Sequence, residues 1–169
     1  DLIASKIGKT KEVDSQLIDI NVAVKDTLQL MQEKAKSKDL EIIINTTPKP
    51  SYIKIVPDDL DIILTNLIDN SVKYTKQGGT ISISNTITSN EIKVEISDTG
   101  IGIIKDDLEK IFKEFYRSKN AKQNDMRGTG LGLSIVENLI NQYGANIKIR
   151  SEVGKGTTVT VTFPVDQEC

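Results

Sequence analysis

Residues 80–98 read TISISNTITSNEIKVEISD. Ile81, Ile83 and Ile87 come before Ser89-Asn90, and Ile92, Val94 and Ile96 follow it, each run alternating with polar residues. That period of two belongs to a strand with one face buried, so the stretch predicts a half-buried hairpin. Farther along, Ile147 and Ile149, then Val159, Val161 and Phe163, flank Gly154-Lys155-Gly156 and predict a second hairpin. Four final strands joined as consecutive hairpins make a mixed or largely antiparallel sheet, and they disfavour a doubly wound parallel one.

Helical periods occupy the rest. Leu17, Ile20, Val24, Leu28 and Met31 recur every three or four residues and predict a helix from about Ser15 to Lys36. Short strands are expected at Leu40–Asn45 and Ser51–Val56, separated by Pro48 and Pro50. Pro57 opens a long helix to about Tyr74, and a third runs from about Leu133 to Tyr143, closed by Gly144. The expected class is therefore α+β: a two-layer α/β sandwich, its mostly antiparallel sheet of about five strands carrying three main helices on one face. Residues 1–12 are polar and aperiodic and read as a linker or the tail of a preceding helix, leaving 13–169 as the domain.

At 169 residues, with aromatics at only 4%, the chain suits one domain whose core is aliphatic. Its 22 basic and 24 acidic residues give a net charge of −2, so no global positive field exists to hold a nucleic acid. Any anion site must be local. With no histidine in the chain, imidazole-based nucleophilic triads and imidazole metal sites are excluded, and so is a phosphorylatable histidine within it. The sole cysteine, Cys169, has no partner for an intrachain disulfide. No apolar run approaches the roughly 20 residues of a membrane span, so a soluble, cytoplasmic domain is expected. Asp1 in place of an initiator methionine reads as a piece of a longer protein.

Three segments carry chemistry. On the helix from Pro57, Leu60, Ile63, Leu64, Leu67 and Ser71 form the core stripe, while Asn66, Asn70 and Lys73 lie within about 60° of one another on a neighbouring face. A solvated helix face would carry the same residues. The functional reading is an asparagine oxygen completing the shell of Mg²⁺, with Lys73 neutralising phosphate. Asp98-Thr99-Gly100-Ile101-Gly102 follows a strand directly. A carboxylate there would accept from the exocyclic amine of adenine and repel the carbonyl of guanine; a turn-forming aspartate is the plainer alternative. Gly128-Thr129-Gly130-Leu131-Gly132-Leu133 runs into a helix, freeing backbone N–H groups to face an anion at its N-terminus. Neither a Walker A pattern nor a dinucleotide fingerprint is present. Between the last two lie residues 103–127, with Phe112, Phe115 and Tyr116 followed by Arg117, Lys119, Lys122 and Arg127 against only Asp125. An apolar anchor and a cationic flap suit a lid over a triphosphate, and a solvated loop is the other reading.

In this order the segments resemble the catalytic ATP-binding domain of bacterial sensor histidine kinases, in the superfamily shared with gyrase, mismatch-repair and heat-shock chaperone ATPases. The asparagine box is Asn66-Leu67-Ile68-Asp69-Asn70 through Lys73-Tyr74-Thr75, and the first glycine box is Asp98 to Gly102. The phenylalanine box is Ile111 to Arg117, the second glycine box begins at Gly128, and Gly154-Lys155-Gly156-Thr157 closes the set. The resemblance implies a Bergerat-type fold that binds ATP and Mg²⁺ and transfers the γ-phosphoryl group to a histidine. Carried over, Asn70 holds Mg²⁺, Lys73 and Arg117 meet phosphates, and Asp98 takes the adenine amine. Tyr74, Gly100, Gly102, Ile103 and Thr157 line the pocket, and Gly128, Thr129, Gly130, Leu131, Gly132 and Leu133 form the loop over the phosphates. Asn66 stands where hydrolysing relatives place a glutamate; a carboxamide is no general base, which favours transfer over hydrolysis. The acceptor would be a histidine-bearing dimerisation helix hairpin, upstream in the same chain or in another, within a homodimer that signals onward to a response regulator. Alternatives are an anti-sigma-type serine kinase, which the phenylalanine box disfavours, a binding module without phosphotransfer, and an ATPase clamp, which would turn ATP over unaided.

Overall fold

The computed structural model describes residues 14–113 and 132–165. In chain order the elements are β1 (Gln16–Asp19), α1 (Ile20–Leu30), α2 (Gln32–Ser37), β2 (Glu41–Asn45), β3 (Tyr52–Ile55), α3 (Pro57–Tyr74), β4 (Thr80–Ile87) and β5 (Glu91–Asp98). A 3₁₀ turn at Lys105–Asp107 follows, then α4 (Gly132–Gln142), β6 (Asn146–Glu152) and β7 (Gly156–Pro164). Five strands form the main sheet in the order β2-β4-β5-β7-β6, and β1 pairs with β3 in a separate ribbon. Only β2–β4 is parallel; β4–β5, β5–β7 and β6–β7 are antiparallel, as the two hairpins require.

Alternation fixes which face is covered. Ile83, Ile96, Val159 and Ile149 stand in one cross-strand row, and together with Ile81, Ile92, Val94, Val161 and Phe163 they pack into the core shared with α1, α3 and α4. The intervening Ser82, Lys93, Glu95, Thr158 and Thr160 stay on the other, more exposed face. Asn85 breaks the apolar register yet is buried, because its amide donates to Asn21 Oδ1 (2.5 Å) and Ser51 Oγ (3.2 Å) and its oxygen accepts from the Thr47 N–H (2.6 Å). A buried amide satisfied on both sides carries little penalty.

On α3 the expected stripe is the buried one, with Leu60, Ile63, Leu64, Leu67 and Ser71 all inward. Pro57 opens the helix with Asp58 and Asp59 in its positive first turn. At the other end the Lys38 ammonium donates to the carbonyls of Val72 (2.7 Å) and Lys73 (3.0 Å), satisfying acceptors that the helix itself leaves open. Burial lowers the pKa of this lysine from its ordinary value.

The first helix departs from expectation. Residues 16–19 form a strand, Asp19 caps a helix starting at Ile20, and the helix breaks at Met31 before resuming at Gln32. Leu17, counted in the helical stripe, is instead half exposed on the ribbon opposite Lys54. Asp19 decides the boundary: its Oδ1 accepts from the N–H of Asn21 (3.0 Å) and of Ser51 (3.1 Å), capping the helix and docking β3 together. The strand expected at Ser51–Val56 accordingly belongs to the ribbon rather than to the main sheet.

α4 is tied to the start of α3 through Tyr143, whose hydroxyl donates to the Asp59 carboxylate and accepts from the Val56 N–H at 3.3 Å. Burial and the neighbouring carboxylate push the tyrosine pKa up from 10.0 to about 12. The folded chain thus keeps a proton that the unfolded chain gives up first. This contribution is complete below pH 10 and is lost as pH rises toward about 12. Tyr143→Phe should cost about 1 kcal/mol and remove that alkaline component, measured by thermal melts across pH.

Candidate nucleotide-binding site

One row farther along the sheet, the core face turns polar. Ile81 is followed across the strands by Asp98, Thr157 and Ser151, in register with one another and on the same side as the apolar row beneath. Asp98 Oδ1 accepts from two backbone donors, Gly100 N–H (2.9 Å) and Thr157 N–H (3.2 Å). The hydroxyl of Ser71, inward on α3, lies near the same carboxyl and favours its ionised form. Burial pushes the Asp98 pKa above its ordinary 3.8, while the three donors pull it back. The carboxylate is therefore held in one orientation, with one oxygen occupied by backbone.

Close backbone approach explains the glycines around it. Gly156 has φ +133°, and a Cβ there would collide with the Asp98 carbonyl oxygen. Gly102, at φ +73°, leaves the same lack of room against the Glu152 carbonyl. The segment between them is braced on both sides: Ile101 N–H donates to the Tyr74 carbonyl (3.1 Å), Gly154 N–H to the Ile101 carbonyl (2.9 Å), and Ile103 N–H to Ser151 Oγ (2.8 Å). The first glycine box is thus clamped between the end of α3 and the β6–β7 turn.

α3 forms the adjoining wall. Asn66, Asn70, Lys73 and Tyr74 are all partly exposed along it. The Asn66 amide donates to the Ile62 carbonyl (2.7 Å), and its Oδ1 lies 2.9 Å from where a Cβ on Gly132 would stand. The side chain therefore abuts the first residue of α4. No hydrogen bond ties the Asn70 carboxamide down among the described residues. The Lys73 ammonium sits 5.6 Å from the centre of the Tyr74 ring, within cation–π range. Ser71 touches Asp98 and Asn66 touches the start of α4, five residues or about 7.5 Å apart along the helix. The two lie about 140° apart around the helix, so the carboxylate end of the site meets its buried stripe and the helix-start end meets the neighbouring, partly exposed face.

Asn66, Asn70, Lys73, Tyr74, Asp98, Gly100, Gly102, Ile103, Gly132 and Thr157 all fall along this wall and strand end. Leu133 follows Gly132 in the first turn of α4 and packs against the core. Arg117, Gly128, Thr129, Gly130 and Leu131 lie outside the described residues, as do Phe115, Tyr116 and the lid from 114 to 127. Of the proposed lid, 103–113 is described, and there Asp107 and Ile111 are buried. Ser71 lies in the core stripe as expected, and nothing in the local sequence marks its hydroxyl as a neighbour of Asp98. Ser151 was missed altogether.

A metal held here would be held mostly by its ligand. Among the described residues no group of three or more His, Cys, Asp or Glu side chains could hold one. A lone carboxamide oxygen such as that of Asn70 suits a hard ion that takes its other ligands from phosphate and water.

The sequence profile of the histidine kinase-, DNA gyrase B-, and HSP90-like ATPases matches residues 55–167, which span α3, both hairpins and every site residue above. The chain belongs to this ATPase family. Within it, the chain is 37% identical over 138 residues to the sensor histidine kinase WalK of Bacillus subtilis, covering 80% of this chain and 23% of WalK. The chain therefore spans about a quarter of the length of that relative. In fold it is similar to the mycobacterial sensor histidine kinase MprB, with a TM-score of 0.78 at 22% identity, covering 89% of this chain and 97% of that one. It is also similar to full-length ShkA, solved in complex with AMPPNP, with a TM-score of 0.76 at 27% identity over 89% of this chain and 31% of that one. As in the rest of this ATPase family, the stretch described here is an ATP-binding domain. No helix among its described residues is long and apolar enough to cross a membrane.

Proposed function

We propose that this chain is the catalytic domain of a two-component sensor histidine kinase, holding Mg-ATP for transfer of the γ-phosphoryl group to a histidine outside the residues given. The observation that carries the reading is the Asp98 carboxylate. It is oriented at a strand end by two backbone N–H groups, beside a helix whose amide face leads to the start of α4. The adenine amine donates to Asp98, and Thr157 and Tyr74 border the base. Lys73 meets the phosphates, and Asn70 offers Mg²⁺ one oxygen. The ion, when bound, neutralises charge on the phosphate oxygens.

An imidazole nitrogen of the acceptor attacks the γ-phosphorus. The bond to the β,γ-bridging oxygen breaks, ADP leaves, and the imidazole proton passes to solvent or to a base beside the acceptor. Such a step depends on positioning and charge neutralisation, which the α3 face and the strand end can supply. Asn66 stands next to the phosphate end as a carboxamide already donating to Ile62, so it activates no water. The reading is supported by the sensor-kinase relatives and by the AMPPNP complex of ShkA. A histidine-bearing hairpin, a homodimeric parent and a downstream response regulator follow from it.

The test is to incubate the chain with γ-labelled ATP and Mg²⁺, with and without a histidine-bearing helix hairpin. Label should accumulate on the hairpin only, with negligible phosphate release in its absence. Steady hydrolysis by the chain alone would overturn the reading in favour of an ATPase.

A further inference from the structure

The β6–β7 pairing sets Ser151 opposite Thr157, and their hydroxyl oxygens lie 2.8 Å apart. Among the described residues the Ser151 oxygen has two further neighbours, the Ile103 N–H at 2.8 Å and the Gly156 carbonyl at 2.9 Å. Ile103 can only donate and the Gly156 carbonyl can only accept, while a serine hydroxyl brings one proton and two lone pairs. Were that proton given to Thr157, two bare oxygens would face each other at 2.9 Å. One arrangement satisfies every group: Ser151 donates to Gly156, accepts from Ile103, and accepts the proton of Thr157. The threonine proton is then spent inside the protein. Thr157 Oγ1 keeps only lone pairs to offer a ligand, next to a carboxylate that likewise only accepts.

We infer that Ser151 is a specificity-determining positioning residue, which fixes the threonine beside Asp98 as an acceptor and so makes this edge of the site select a nucleotide whose base presents an amine. The inference rests on the proposed placement of the base at Asp98 and deepens it. Asp98 alone could tolerate a 6-oxo purine if a neighbouring hydroxyl turned to donate to that oxygen. With Thr157 locked, a 6-oxo group meets acceptors on both sides. A site built to pair with a donor rejects the analogue lacking it far more strongly than a pliable one does.

The test compares ATP with ITP, in which a 6-oxo group replaces the 6-amine and N1 gains a proton, the sugar and triphosphate being the same. Binding is measured by calorimetry on the chain and on its Ser151→Ala, Thr157→Val and double variants. The chain should prefer ATP. Ser151→Ala should free the Thr157 hydroxyl to donate and narrow the ATP-to-ITP preference by about tenfold, the worth of one hydrogen bond. In the Thr157→Val background, Ser151→Ala should leave the preference unchanged, because there is no hydroxyl left to turn. Ser151→Thr should retain the original preference, and Ser151→Cys, whose thiol is a poor acceptor, should narrow it even if the alanine variant fails to fold. A preference unaltered in Ser151→Ala and Ser151→Cys, or equally narrowed with valine at 157, overturns the role of Ser151 while leaving the base reading standing. Equal affinity of the unmodified chain for ATP and ITP overturns the base reading, and this inference with it.

Discussion

Asp98→Asn should invert the purine preference of the chain, lowering ATP affinity by about 100-fold while raising that for ITP. The backbone donors of Gly100 and Thr157 both reach Oδ1, which an asparagine oxygen can replace. The new amide then takes the other position and points a donor where the adenine amine also donates. A charge-assisted hydrogen bond becomes a donor–donor conflict, a loss of about 3 kcal/mol. The 6-oxo group of ITP gains a partner instead. Stability should move the other way. Burial raises the Asp98 pKa, so the folded chain holds the ionised form at a cost that begins as pH rises past 3.8 and is complete above the raised value. The asparagine variant escapes that cost, so its melting temperature at neutral pH should match or exceed that of the unmodified chain. By the same sign, ATP affinity of the unmodified chain should fall as pH is lowered, starting above the range where an ordinary aspartate titrates. Calorimetry with both nucleotides, and melts over pH, measure all three effects.

Asn70→Asp should abolish Mg-dependent phosphoryl transfer while sparing the fold and the base preference. Asn70 is partly exposed on α3, outside the buried stripe, so folding should change by no more than about 0.5 kcal/mol. A carboxylate at that position faces triphosphate oxygens. At a separation of about 6 Å and an effective dielectric near 20, each such like-charge pair costs about 3 kcal/mol. That is roughly a 100-fold loss in Mg-ATP affinity from a single pair, with misplacement of the transferred group adding to it. Asn70→Ala, which removes the oxygen without adding charge, should lose the Mg²⁺-dependent increment of ATP affinity and keep the Mg²⁺-independent part. Transfer by either variant at the unmodified rate would remove Asn70 from the metal site.

The hairpin at 80–98 was legible because its two faces differ: Ile81, Ile83, Ile92, Val94 and Ile96 meet helices, and Ser82, Lys93 and Glu95 do not. A one-residue slip would exchange them, so the pattern is forced. The opening helix was misread for the converse reason. Leu17 falls in step with Ile20 and Val24 by spacing alone, and only the contact of Asp19 with the distant Ser51 N–H shows that the helix starts later. The site divides in the same way. Asp98 stood out because a carboxylate between a strand and two glycines is unusual on local grounds. Ser151 sits in an ordinary alternating strand, and Lys38 follows an ordinary charged helix; the first matters through its register with Thr157, the second through carbonyls more than thirty residues away. Long-range pairing of that kind leaves no mark on local spacing.

On this reading, base, metal and phosphates share one continuous site along α3, from the Asp98 strand end to the start of α4. Amide chemical shifts recorded as Mg-ATP is titrated into the isotopically labelled chain test it most directly. Gly100, Gly102 and Thr157 at the base end, Asn70 and Lys73 on the helix, and Gly132 at the start of α4 should move together, with one shared dissociation constant. Shifts at only one end, or two sets saturating independently, would contradict the single site and the kinase reading built on it.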